Sequence, residues 1–261
     1  MKIAVAGKGG VGKSTIAGML ARMYAENDYN ILAVDVDPDS SLARCIGLSD
    51  KQIENIKPLS EMKDMIKDRT GAKDFGVFGT FFKSRPKVDD IPEKFSILHK
   101  GVRFLQVGSV KEGGSGCYCA ENAFIRELMK HLLLKTDDII IMDMEAGIEH
   151  LSRGTGEAVD LLIIVVEPGK LSFETAERIR DLAHGIGIPQ IAVIGNKIRN
   201  DKTKEIIRSN LADFKIMGFL PYDEKLVEAD LEGISPYDIK SDFKGKFREI
   251  FNELGDLFNN A

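Results

Sequence analysis

The sequence has no tryptophan, only three cysteines and only eight prolines in 261 residues. It also has no long apolar run: the longest, LLIIVV at Leu161 to Val166, is fenced by Asp160 and Glu167. A membrane-spanning helix needs about 18 or more apolar residues in succession, so none is expected. Three cysteines are too few for a disulfide framework, and they direct attention to metal or redox chemistry. No surplus of positive charge is present either. Lys and Arg total 36 against 41 for Asp and Glu, a formal charge of −5, which argues against a broad phosphate-gripping surface for nucleic acid. The apolar stretch at the N-terminus is too short for a signal peptide, so a cytoplasmic location is expected.

What remains is an ordinary globular composition, 43% hydrophobic and 30% charged. Buried-strand patterns appear at Lys2–Ala6, Ile31–Val34, Ile139–Met142, Leu161–Val166, Gln190–Ile194 and Lys215–Leu220. Helical spacing appears at Ser14–Glu26, Glu121–Leu134, Phe173–His184 and Lys202–Leu211. Strands alternating with helices predict an α/β fold with a mainly parallel, twisted sheet covered by helices on both faces. No repeat or low-complexity linker divides the chain, so residues 1–261 are expected to form one domain. The region 50–100 reads as an insertion. It holds a helical pattern at Leu59–Arg69, then a phenylalanine-rich stretch that is either a satellite core or a partner-facing surface.

The sharpest motif is GKGGVGKST, Gly7 to Thr15, directly after the first strand and opening a helix. Gly7, Gly9, Gly10 and Gly12 let the backbone curl so that successive N–H groups, Val11 included, converge on phosphate oxygens. The helix start adds its positive dipole end. Lys13 suits the outer phosphates, and the Ser14 hydroxyl suits Mg²⁺. Lys8 is a second lysine that a P-loop does not require. It is either a solvated loop charge or a neutraliser of charge on the transferring phosphoryl group. Asp143 ends a hydrophobic strand, where a carboxylate points to chemistry rather than structure. Asp39 reads as a turn former.

GKGGVGKST resembles the deviant Walker A loop of the MinD/ParA/nitrogenase-iron-protein class of P-loop NTPases. The resemblance implies that Lys8 reaches across a homodimer to the partner's nucleotide. It also implies that Asp37, in VDVDPDSS, orients the attacking water, with Asp35 less certain. Asp143 and Gly147, in DMEAGIEHL, correspond to the Walker B acid and the second switch. Asn196 in VIGNKI and Pro221 in LPYD stand where the class contacts adenine. Lys13, Ser14, Thr15 and the loop amides are expected to bind ATP or ADP with Mg²⁺.

Cys117 and Cys119 form a Cys-x-Cys pair among glycines, just before a helix. They are either two idle thiols or metal ligands. A helix N-terminus lowers a thiol pKa, and thiolate is the ligand form. One chain supplies two sulfurs where a closed tetrahedral site takes four, so two chains facing across a two-fold axis would complete it, with Zn²⁺ or Ni²⁺ as suitable ions. Cys45 reads as a small buried hydrophobe. His99, His131, His150 and His184 share no metal-ligand spacing.

The deviant Walker A loop, the mid-chain Cys-x-Cys and DMEAGIEHL together resemble CooC-type ATPases. The resemblance implies a homodimer that carries metal to a nickel-enzyme apoprotein, carbon monoxide dehydrogenase or a relative. Two rivals are open at this point: an iron–sulfur reductase ATPase, and a MinD- or ParA-like spatial regulator. For the second rival, the apolar stripe Phe243, Phe247, Ile250, Phe251, Leu254, Leu257 and Phe258 could lie on a membrane, but its mixed polar face favours packing against the sheet.

Overall fold

The computed structural model describes residues 1–37, 41–72, 81–108, 120–146, 148 and 151–259. Among them lie the strands β1 (Lys2–Gly7), β2 (Ile31–Asp35), β3 (Ile97–His99), β4 (Val102–Gln106), β5 (Ile139–Asp143), β6 (Leu161–Val166), β7 (Ile191–Ile198) and β8 (Lys215–Pro221). The helices are α1 (Lys13–Glu26), α2 (Leu42–Ile46), α3 (Asp50–Glu54), α4 (Lys63–Thr70), α5 (Ile91–Phe95), α6 (Ala120–Lys135), α7 (Arg153–Gly156), α8 (Lys170–Ile186), α9 (Asp201–Asn210), α10 (Glu224–Leu231) and α11 (Asp242–Asn259). The strands form one sheet in the order β3-β4-β2-β5-β1-β6-β7-β8, parallel throughout except for the antiparallel β3–β4 edge. The expected α/β architecture is therefore present.

Successive strand residues point to opposite faces, and the sequence is apolar on both. On one face Ile3, Val5, Ala33, Ile141 and Ile163 pack with Ile16 and Leu20 of α1 and Leu42 of α2. On the other, Ala4, Leu32, Val34, Met142 and Ile164 pack with Phe124 and Leu128 of α6 and Ile179 of α8. Helix α11 belongs to the first face. Phe243, Phe247, Ile250 and Leu254 are buried there, and the Phe251 ring meets Tyr24 edge-on at 4.7 Å. Those side chains cover the sheet, which is where the mixed polar face placed them, and are not presented to a bilayer. No helix among the described residues is long and apolar enough to cross a membrane.

Within the region 50–100, Leu59, Ile66, Val88 and Ile91 join the core on the α6 side. The helical pattern at Leu59–Arg69 resolves into a 3-10 turn, Leu59–Glu61, followed by α4, with Met62 at φ −80°, ψ 62° between them. The Ser60 N–H donates to the Val107 carbonyl (3.0 Å) just past β4, tying this segment to the sheet. Phe81 is 95% exposed and adds nothing to a satellite core. Phe75 and Phe78 lie outside the described residues.

Chain order places the site. From β1 the connection through α1 passes over β5 to reach β2, whereas the connection from β5 passes the other way across β1 to β6. A crevice opens at the carboxyl ends of strands where the winding reverses, here those of β1, β2 and β5.

Candidate functional site

The loop from Gly7 to Gly12 sits in that crevice. Gly7 adopts φ 151°, and a β-carbon there would collide with the Val165 carbonyl oxygen. Gly12 immediately precedes α1 at φ 99°, and a β-carbon there would lie 2.5 Å from Asn196 Nδ2. Glycine is required at both. The first turn of α1 carries no acidic residue and no side-chain cap, so its N–H groups are open to an anion.

Charge is concentrated beneath the loop. Lys13 Nζ lies 3.2 Å from Asp37 Oδ2, and both side chains are 9% exposed. Asp35 and Asp143 sit at paired positions of β2 and β5 and are fully buried. Burial raises the Asp143 carboxyl to about 7; Ser14 and Lys13 pull it down and Asp37 pushes it up. Burial, with Asp143 alongside, also holds Asp35 well above the usual carboxylate range, against the lowering effect of two backbone N–H groups. Neither Asp143 oxygen has a hydrogen-bond partner of good geometry among the described residues. Two buried carboxyls beside Lys13, those of Asp37 and Asp143, with both Asp143 oxygens orphaned and the Ser14 hydroxyl alongside, form a hard oxygen donor set. That set fits Mg²⁺, which takes one or two carboxylates and completes its shell with phosphate and water.

Lys8 and the end of β7 form a second cluster. Lys8 Nζ is 3.5 Å from Glu167 Oε1, and Lys197 Nζ is 3.3 Å from Glu167 Oε2. Lys197, at φ 57°, also donates to the Gly10 carbonyl (2.6 Å). Asn196 Nδ2 donates to the Val11 carbonyl (2.8 Å), while its Oδ1 accepts from the Lys197 N–H (2.8 Å). Asn196 and Lys197 therefore brace the phosphate loop from outside.

A cleft of about 390 Å³ runs from this loop to the end of β8. Gly9, Gly10, Gly12, Lys13, Ser14, Thr15 and Asp37 line one end; Pro221, Tyr222, Leu226 and Pro236 line the other, with Asn196 between. Gly7 and Val11 stand behind the loop, Val11 fully buried. Cys45 is half-buried on the cleft wall and packs against Gly18 of α1; burial pushes its thiol up to about 12. None of the described histidines lines the cleft. Cys117, Cys119, Gly147, His150 and Asp39 lie outside the described residues, though α6 begins at the residue after Cys119. Among the described residues no group of three or more His, Cys, Asp or Glu is gathered for a metal ion.

The sequence reading missed Glu167 and Lys197. Their one sequence signal is polarity at the ends of buried strands, in VVEP and GNKI.

Comparison with known proteins agrees with this geometry. Residues 2–237 match the family model for the CobQ/CobB/MinD/ParA nucleotide binding domain. The chain is 45% identical to the carbon monoxide dehydrogenase accessory protein CooC of Rhodospirillum rubrum, covering 97% of this chain and 96% of that one. It is 42% identical to an ATP-binding protein of Methanocaldococcus jannaschii, covering 99% of each. Among solved structures, the MinC:MinD cell division complex of Aquifex aeolicus superposes with a TM-score of 0.69 at 20% identity, covering 98% and 96% of the two chains. This chain belongs to the CobQ/CobB/MinD/ParA family of P-loop nucleotide-binding proteins.

Proposed function

We propose that the chain is an ATP-hydrolysing accessory protein that works as a homodimer in the maturation of carbon monoxide dehydrogenase or a related nickel enzyme. The observation that carries the ATPase reading is the buried group of Lys13, Asp37 and Asp143 under an uncapped helix start. Support for the client comes from the name of the Rhodospirillum rubrum relative.

In this reading the loop amides of Gly9 to Gly12 and the first turn of α1 cradle the phosphates. Lys13 leaves Asp37 for the outer phosphate oxygens, and Thr15 supports the inner ones. Ser14 directly, and Asp143 through water, would hold Mg²⁺, which when bound neutralises charge on the phosphate oxygens. Asp37, released from Lys13, orients water for in-line attack, so catalysis is positioning and electrostatics. Lys8 swings from Glu167 toward the nucleotide of a second copy, and Pro221 and Tyr222 flank the base. Cys117 and Cys119 of two copies bind one Zn²⁺ or Ni²⁺, the cargo, and the phosphate-sensing segment after Asp143 transmits the nucleotide state to them.

The test is phosphate release from ATP·Mg²⁺ by wild type and Lys8→Ala, followed by nickel-dependent activation of carbon monoxide dehydrogenase apoenzyme. Wild type should do both and Lys8→Ala neither. Full hydrolysis by Lys8→Ala would remove the cross-dimer role, and activation indifferent to ATP would remove the client role.

A further inference from the structure

Asp35 is the last residue of β2 and has no ion-pair partner among the described residues, although it is fully buried. A buried carboxylate without a cation destabilises a fold unless hydrogen bonds compensate. Among the described residues two do, one at each end of one segment. Oδ1 accepts from the Asp37 N–H (3.1 Å) and Oδ2 from the Leu42 N–H (3.2 Å). The two ends of the segment 37–42 are thus cinched to a single side chain. Leu42 is itself anchored, its side chain fully buried under α1.

The entrance to the segment is clamped as well. The Val36 N–H donates to the Asp143 carbonyl (3.0 Å), and the Asp35 carbonyl accepts from Val107 (2.9 Å) and Gly108 (3.3 Å). With the backbone held at Val36, Asp37 and Leu42, the Asp37 carboxylate stands 3.2 Å from Lys13.

We infer that Asp35 is a positioning residue for hydrolysis: it fixes the backbone of Asp37, and so the place from which Asp37 addresses the attacking water. This rests on the reading of Asp37 given above. Among the described residues no hydrogen bond joins Asp35 to the phosphate loop, so nucleotide affinity should be independent of it. A purely architectural role, anchoring α2, would instead move stability and affinity together.

Asp35→Asn separates these cases, because the amide keeps the size and one acceptor oxygen while its nitrogen cannot accept from an N–H. One of the two tethers is lost. The full chain is assayed well below each variant's melting temperature for kcat and KM with ATP, alongside ADP affinity by fluorescence titration. Misplacement of a reacting group by about 1 Å costs on the order of 100-fold in rate. Asp35→Asn should therefore lose about 10- to 100-fold in kcat, with ADP affinity within about twofold of wild type. Asp35→Glu, which retains the carboxyl group but displaces it by one methylene, should show the same split.

Asp37→Ala is run in parallel. If it turns over at the wild-type rate, the water-orienting reading fails by itself. If it is inactive while Asp35→Asn keeps wild-type kcat, only the present inference is overturned. A parallel loss of ADP affinity and rate in both Asp35 variants also overturns it, assigning the residue to architecture.

Discussion

Replacing Asn196 by alanine discriminates two roles for one residue. The family resemblance puts it against adenine, whereas its side chain here is engaged with the phosphate loop. Asn196→Ala removes the donor to the Val11 carbonyl and the acceptor for the Lys197 N–H, both at 2.8 Å. Val11 is fully buried, so its carbonyl would be left unsatisfied at about 1–3 kcal/mol. At 1.4 kcal/mol per decade, a loss expressed in the bound loop weakens phosphate binding by about 5- to 150-fold. Isothermal titration with ADP and with inorganic tripolyphosphate reads this out. Bracing predicts that both ligands weaken by the same factor, because tripolyphosphate has no base. Gly12→Ala, which places a β-carbon 2.5 Å from Asn196 Nδ2, should break the brace from the other side. Wild-type tripolyphosphate affinity in Asn196→Ala would refute the bracing argument and return the residue to base recognition.

Three other expectations follow from the same structure. The Asp143 carboxyl is raised from 3.8 to about 7, so in nucleotide-free protein its contribution to stability is complete below about pH 4 and lost as pH rises through 7; a melting-temperature profile should show that decline, and Asp143→Asn should flatten it. A slope that survives Asp143→Asn places the titration elsewhere. Phe247→Ala should cost about 3–5 kcal/mol in urea denaturation, since the ring is fully buried between α11 and the sheet; a loss below about 1 kcal/mol contradicts the packing of α11. Cys117→Ala with Cys119→Ala should abolish stoichiometric Zn²⁺ or Ni²⁺ while leaving ADP affinity unchanged, as read by elemental analysis; retained metal would move the cargo site away from these thiols.

Much of this was legible in the sequence, for reasons specific to each part. The runs that became β1, β2, β5 and β6 are buried on both faces, and β7 nearly so, so an apolar stretch announces each; β8, at the sheet edge, is only partly buried and shows through its scattered apolar residues. Strands β3 and β4 gave no such signal. The first is three residues at the sheet edge, and in the second Arg103 alternates outward to pair with Asp138. The phosphate loop was plain because its chemistry is local: glycines, lysine and serine at fixed spacing before a helix. What holds that loop was not, because its partners are remote. Asn196 reaches Val11 across 185 positions, and Lys8 and Lys197 meet only through Glu167 at the end of another strand. Asp35 was visible as an acid in VDVD, but the tether to Leu42 arises only when the start of α2 is brought back to the end of β2. Cys45 illustrates a partial success. From the sequence it reads as a small buried hydrophobe; it is half-buried, packed against α1, and nothing in the sequence signals that it borders the cleft.

The central claim is that hydrolysis and metal carriage both require a second copy of the chain. It is tested most directly by light-scattering mass measurement on protein purified without oxygen, carrying Zn²⁺ or Ni²⁺ and saturated with ATP·Mg²⁺, with metal quantified in the same peak. One chain is 28.8 kDa. The account predicts a species of twice that mass holding one metal ion per two chains. A 28.8 kDa particle under these conditions, or one metal ion per chain, would contradict it.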